Sequence, residues 1–312
     1  MHTIEIESYA HTIYFPSDLS ECNSAQYIDI CELIFLYQNQ KIDLDTLKTH
    51  AVYKLMNMKV AKSKNDDDFL NKLANIEQLK PLIDAFFEVE TIYDNDNKPI
   101  DQYQIKQYYS HNPIPKFCPL WIYYYGPQNG FTNVTFGEYL DAMRAFLEFN
   151  VSGNVQLLYN IAAILYRPKQ KLHFVNKHLP AYNGDCRIPY NSVQVPARAK
   201  TFKYAPIGFI YGVYLYFASF QKFISTAQIQ WGDRSINFSI LFDDDADTDF
   251  VSDHASLGMD ALVFSLAEGG AFGNIEQVAK TPFWTIMVKM YDARKQQLDE
   301  KKQSENAKSS TP

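Results

Sequence analysis

APIGFIYGVYLYFASFQ, residues 205–221, is the stretch around which the rest of this chain must fold. It has no charged residue over 17 positions, and Gly208 and Gly212 lie four residues apart, a spacing that lets a neighbouring backbone approach a helix closely. A membrane span needs about 20 apolar residues. Because this stretch contains several tyrosines, Ser219 and Gln221, we expect a buried central helix; the alternatives are a membrane segment or a partner-binding face.

The clearest helical pattern precedes that stretch. Thr135 and Glu138 have the spacing of a capping box, and apolar residues recur behind them at the spacing of one helix face. A second apolar helix runs from Val155 to Tyr166, after a short turn at residues 150–154. The sequence therefore predicts two helices joined as a hairpin.

The rest of the chain predicts a mainly α protein with minor β structure. Residues 4–15 alternate between apolar and polar and predict a strand or a short hairpin. Helices follow in the N-terminal part, and the last helix of that part is predicted from Phe69 to about Glu90. Residues 120–125 predict a strand, residues 226–242 fit either a strand or a helix, and residues 282–302 predict a final amphipathic helix.

Four prolines within residues 94–119 mark a change of character, because proline favours extended and turn conformations. We therefore expect two unequal parts. The predicted division is an N-terminal strand with helices (1–93), a Pro-rich polar linker (94–119), a helical C-terminal domain with a buried central helix (120–302) and a disordered tail (303–312).

Composition limits the class of protein. Hydrophobic residues make up 46% of the 312 residues and charged residues 21%, which is typical of globular proteins. The net charge of −7 disfavours nucleic acid as a partner, and the acidic N-terminus does not resemble a signal peptide, so a cytoplasmic location is expected. The four cysteines follow no metal-binding or disulfide pattern, so we expect them to be reduced and buried.

No motif for chemistry is recognisable. Neither of the glycine-rich nucleotide-binding patterns occurs, nor does the GxSxG motif of serine hydrolases. His173 and His178 would point apart on a helix. The acidic run 243–249 resembles a calcium loop, but Thr248 replaces the glycine and His254 the glutamate that such a loop needs. We therefore expect no catalytic, cofactor or metal site, with an enzyme of unfamiliar type as the alternative.

Charge is concentrated in two segments. Residues 167–203 hold eight Lys or Arg against one acidic residue, a net charge of +7, whereas residues 241–260 hold seven Asp and no Lys or Arg. The two segments could neutralise one another or simply be solvated. The functional interpretation makes the basic connector a docking strip for an acidic partner. Its candidate partner-binding residues are Lys169, Lys171, Lys177, Arg187, Arg198, Lys200 and Lys203.

Aromatic residues are abundant, with 22 Tyr and 22 Phe, and they suit both cores and partly wet contact surfaces. The segment 134–141, VTFGEYLD, followed by IAAILYRP at 161–168, resembles an arrangement found in tail-assembly and morphogenesis proteins of tailed bacteriophages. Tyr14-Phe15-Pro16-Ser17 and Gln26-Tyr27-Ile28 are similarly placed in such phage proteins.

The resemblance covers about residues 135–220 and the N-terminal dozen. It implies a helical, non-enzymatic assembly accessory or chaperone-like protein that binds tail or virion components in the host cytoplasm. The alternative is a structural virion or scaffold subunit that forms a homo-oligomer. Either role predicts protein partners. The net charge makes nucleic acid an unexpected partner, and the polar residues of 205–221 do the same for a membrane.

Overall fold

A computed structural model describes residues 1–6, 11–58, 66–93, 98–179, 182, 184–242, 264, 266–267, 270 and 272–309. Helices account for 59% of the protein and strands for 15%, which confirms the prediction of a mainly α fold with minor β structure. The acidic run 243–249 lies outside the described residues. The helices are α1 (Ser24–Gln38), α2 (Leu44–Leu55), α3 (Asp66–Ile83), α4 (Phe136–Ser152), α5 (Val155–Leu165), α6 (His173–Asn176), α7 (Val195–Phe202), α8 (Ile207–Thr226), α9 (Ile275–Lys280) and α10 (Phe283–Ser309).

The strands form small antiparallel sheets rather than one large sheet. Three are two-stranded hairpins, and the fourth has three strands in the order β5-β6-β7. The hairpins are β1 (His2–Ile6) with β2 (His11–Phe15), β3 (Phe87–Tyr93) with β4 (Pro99–Ile105), and β8 (Gln228–Trp231) with β9 (Arg234–Asn237); the three-stranded sheet contains β5 (Lys116–Phe117), β6 (Tyr124–Tyr125) and β7 (Arg167–Pro168).

The chain divides into two compact units, and the first contains Met1–Tyr109 together with Ala205–Tyr216. The Asn23 side chain caps α1 in a capping box with Gln26, which satisfies amide groups that a helix start leaves unpaired. Within this unit Tyr27 donates its hydroxyl proton to the carbonyl oxygen of Gly212 over 2.9 Å. Cys22 is also buried here, and burial raises the pKa of its thiol to about 12.

The second unit contains Ser110–Tyr204 and Phe217–Pro312. Thr135 accepts a hydrogen bond from the Glu138 amide and caps α4, which packs on α5 as the predicted helical hairpin. Aromatic rings fill the core around this hairpin: Phe131 stacks on Phe220 with ring centroids 4.1 Å apart. The abundant aromatic residues therefore fill this core, which is one of the two uses expected from the sequence; the other is a contact surface.

Helix α8 is the central helix that the sequence predicts. Among the described helices it is the one long and apolar enough to cross a membrane by length and composition, yet 67% of its apolar window is buried inside the protein. Gly208 and Gly212 lie where a side chain would collide with the first unit's α1. A neighbouring helix thus explains both the apolar composition and the glycine spacing.

Three elements differ from the sequence-based predictions. The helix expected to reach Glu90 ends as α3 at Ile83, because the segment from Phe87 pairs instead with residues 99–105 of the predicted linker. The predicted strand 120–125 is reduced to β6, since Trp121 has a φ of +60°, which strand residues do not adopt. Residues 303–309, predicted to be disordered, continue α10, because they contain good helix formers and neither glycine nor proline.

Candidate partner-binding surface

Four charged side chains form a buried cluster in the second unit. Arg167 in β7 contacts Glu138 of α4 at 2.7 Å and Asp185 at 3.1 Å, and Arg187 contacts the same two carboxylates at 2.9 Å each. Positive and negative groups therefore alternate around the cluster. This alternation ties the basic connector to the helical hairpin that precedes it.

The geometry of the cluster compensates for its burial. Burial alone disfavours a charged guanidinium, but the attraction of Glu138 and Asp185 outweighs it, so the pKa of Arg187 is raised. Arg187 also donates to the carbonyl oxygens of Leu165 and Asn133, which satisfies its remaining nitrogens. A buried charge needs such complete pairing, and the cluster is accordingly a structural element rather than a binding site.

This arrangement corrects part of the sequence-based prediction. Arg187 and Arg198, two of the residues expected to bind a partner, are buried. Arg198 donates to the carbonyl oxygens of Ala163 and Asn191, and burial, with Arg167 nearby, lowers the pKa of its guanidinium. Both arginines fold the connector onto the hairpin and are not part of its surface.

The lysines of the connector behave differently, because all five predicted partner-binding lysines are exposed. Lysine keeps its strongly hydrated ammonium in water, whereas arginine can distribute its charge over a buried hydrogen-bonding fork. The exposed residues are Lys169, Lys171, Lys177, Lys200 and Lys203.

A loop of consecutive apolar side chains lies exposed between β5 and β6. It consists of Leu120, Trp121, Ile122 and Tyr123, and we call it the aromatic loop. Trp121 is 97% exposed and has a φ of +60°, a conformation that is costly for a bulky residue. Cys118, expected to be buried, is exposed beside it. Apolar residues held in solvent in a strained backbone are typical of a contact surface.

Two lysines flank the aromatic loop. The Lys116 ammonium lies 5.8 Å from the ring centroid of Tyr123, and the Lys169 ammonium lies 5.8 Å from that of Tyr125. The sheet brings them together, because Tyr125 pairs with Lys116 on one side and with Arg167, two residues before Lys169, on the other. The result is an aromatic surface with two ammonium groups beside it.

Of the two metal-binding patterns considered in the sequence, the structure describes only the histidine pair. Within the described ranges no group of three or more His, Cys, Asp or Glu side chains could hold an ion. His173 contacts the ring of Tyr182 instead, with centroids 5.6 Å apart, and His178 is exposed. The acidic run that resembles a calcium loop is not among the residues described.

Lys169 was predicted from the sequence, but the aromatic loop was not, because the aromatic and β-branched residues of the loop favour a strand. The signal that could have revealed it is Pro119 directly before four apolar residues, since proline commonly starts a turn. The loop and its lysines are the most distinctive exposed feature around the three-stranded sheet. In comparisons with known proteins, no family model, no curated protein and no solved structure matches this chain.

Proposed function

We propose that this chain is a non-enzymatic assembly accessory protein that binds a partner protein through the aromatic loop and its two flanking lysines. The observation that carries the proposal is the nearly complete exposure of Trp121. Burying an aromatic side chain removes about 150–250 Å² from water, which is roughly 4–6 kcal/mol before the entropic costs of association. Tryptophan is accordingly enriched among residues that dominate binding energies.

The chemistry of the surface limits the partner. Trp121 and Ile122 require an apolar pocket or groove, and the ammonium groups of Lys116 and Lys169 favour carboxylates at its rim. An unassembled tail or virion component of a bacteriophage is the partner that the sequence resemblance implies. The proposal places the protein in the host cytoplasm, with retention in the virion as the alternative, and requires no cofactor.

Co-expression with tail proteins encoded by neighbouring genes, followed by affinity capture, tests this function. We expect the native chain to retain a partner and the Trp121→Ala variant to bind it at least tenfold more weakly, because the largest apolar contact is lost. Tyr204→Ala is the matched control, since Tyr204 is another exposed aromatic residue of the same unit. Capture of no tail protein, or equal loss in both variants, would contradict the proposal.

The role of the lysines has a separate measurement. Replacing Lys116 and Lys169 by glutamate should slow association with the captured partner and weaken its dependence on salt, because rim charges act mainly on the association rate. The Lys200→Glu variant changes a lysine of the same connector outside the proposed surface and serves as the control. An unchanged salt dependence in the double variant would remove the lysines from the binding site.

A further inference from the structure

The β3–β4 hairpin of the first unit is a two-stranded ribbon with little cover. Phe87 and Ile105 form one pair at its base and are buried, but every later residue of β3 is exposed. The exposed side chains include Val89, Ile92 and Tyr93, and Tyr93 is 67% exposed. We call these two strands, residues 87–93 and 99–105, the acidic arm.

No third strand joins the acidic arm among the described residues. A two-stranded ribbon is marginally stable in water on its own, and its outer edges present unpaired amide and carbonyl groups. Exposed apolar residues along such a ribbon are therefore typical of a surface that another chain covers.

The charge of the acidic arm indicates what kind of chain would cover it. The two strands of the acidic arm contain three acidic residues and no Lys or Arg, so a second acidic arm would be repelled and a basic surface attracted. The acidic residues are Glu88, Glu90 and Asp101.

The second unit carries a segment with the complementary properties. Residues 169–179, which include α6, contain three exposed lysines and no acidic residue, and we call them the basic segment. Its exposed apolar side chains belong to Leu172, Phe174, Val175 and Leu179, with Phe174 67% exposed. Burial and then the positive charges of Lys169 and Lys177 lower the pKa of His173, which lies in α6.

Backbone strain also marks the basic segment. Leu172 has a φ of +54°, in the left-handed region that costs a leucine roughly 1–2 kcal/mol, yet its side chain lies in solvent. Trp121 combines the same two properties. Strain of this kind at an exposed apolar residue favours a binding role over a packing role.

We propose that the acidic arm of one copy of this chain docks on the basic segment of a second copy. Apolar residues on the two surfaces would cover one another, and the lysines would face the carboxylates. Because the two surfaces differ and each copy carries one of each, the contact is compatible with a two-fold dimer closed by two reciprocal contacts, with a ring or with a filament. The contact uses no residue of the aromatic loop and shares only Lys169 with the surface proposed above, and the test below leaves Lys169 unchanged.

Charge reversal tests this contact by sedimentation velocity at low and high salt. Glu88→Lys with Glu90→Lys changes the acidic arm, and Lys171→Glu with Lys177→Glu changes the basic segment. We expect the native chain to self-associate at tens of micromolar at low salt and each double variant to associate at least tenfold more weakly. An equimolar mixture of the two variants should regain the association that each variant lost, because the native basic segment of the first variant meets the native acidic arm of the second and the two reversed surfaces attract one another.

Controls separate the contact from general charge effects and from misfolding. Lys200→Glu with Lys203→Glu alters two exposed lysines elsewhere in the connector and should leave self-association unchanged, as should Trp121→Ala. Circular dichroism checks that every variant keeps the native helix content. A native chain that is monomeric at 100 micromolar in low salt would overturn the proposal. Failure of the two folded variants to associate when mixed would overturn it equally.

Discussion

At the scale of one residue, Arg187 shows which contacts hold the basic connector on the helical hairpin. The Arg187→Met variant removes one positive charge from the buried cluster and leaves Glu138 and Asp185 with Arg167 alone. Breaking a buried ion pair by removing one partner costs about 3–5 kcal/mol, because the remaining charges stay desolvated. We expect a loss of this size in the free energy of unfolding, measured by urea denaturation.

Arg144→Met is the matched control for that measurement. Arg144 contacts Asp141 at 2.8 Å on the same helix α4, but both side chains are partly exposed. An exposed pair contributes less than about 1 kcal/mol. Equal losses for the two variants would mean that burial does not govern the energy of the cluster.

The same residues show what the sequence could and could not predict about the site. The composition of residues 167–203 identified a basic connector, and all five of its predicted partner-binding lysines are exposed. The buried position of Arg187 was not predictable, because its partner Glu138 is 49 residues away in the sequence. Long-range pairing of this kind leaves no local pattern, whereas exposure of a lysine follows from its hydration.

At the scale of elements, prediction succeeded where the signal was local. The capping residue Thr135 and the apolar period behind it belong to α4 itself, and the hairpin of α4 and α5 formed as expected. Strand β3 was mistaken for helix, since its identity depends on pairing with β4, six residues further along. Pro99 argued for a linker but stands at the first residue of β4, a strand position where a missing amide proton is tolerated.

Helix α8 provides a prediction about close packing. In an exposed helix, replacing glycine by alanine stabilises by about 1 kcal/mol. At Gly208 the added methyl group would overlap the carbonyl oxygen of Ile28, which belongs to the backbone of α1 and cannot turn aside. We therefore expect Gly208→Ala to destabilise the protein by about 1–3 kcal/mol in chemical denaturation.

Two further variants provide a comparison and a control for the Gly208→Ala result. At Gly212 the new methyl group would lie 2.8 Å from a side-chain atom of Tyr27, a less severe overlap than the one with backbone at Gly208, so Gly212→Ala should cost less than Gly208→Ala. Lys222→Ala changes an exposed residue of the same helix and should alter stability by less than about 0.5 kcal/mol. A stabilising effect at Gly208 would show that α1 does not pack there.

At the scale of the whole molecule, the first unit is built from two separate segments of the chain. The predicted boundary at residues 94–119 assumed two parts that follow one another. Instead, the first unit combines Met1–Tyr109 with Ala205–Tyr216, and Ser110–Tyr204 of the second unit lie between these two segments. Composition reveals a change of character along the chain, but it cannot reveal that a later segment completes an earlier unit. The returning segment includes Phe209, Ile210 and Leu215, which are fully buried.

This discontinuity predicts how fragments will behave. A fragment of residues 1–109 lacks the carbonyl oxygen of Gly212 that accepts the Tyr27 hydroxyl proton, and the Tyr211 ring, whose centroid lies 5.3 Å from that of Phe35. With those apolar contacts missing, α1 exposes its packed face, and we expect the fragment to lose cooperative thermal unfolding in circular dichroism. Fusing residues 204–217 to its end through a flexible linker should restore a cooperative transition, whereas the same fusion carrying Gly208→Trp should not. A cooperative transition in the unfused fragment would mean that the first unit folds without its returning segment.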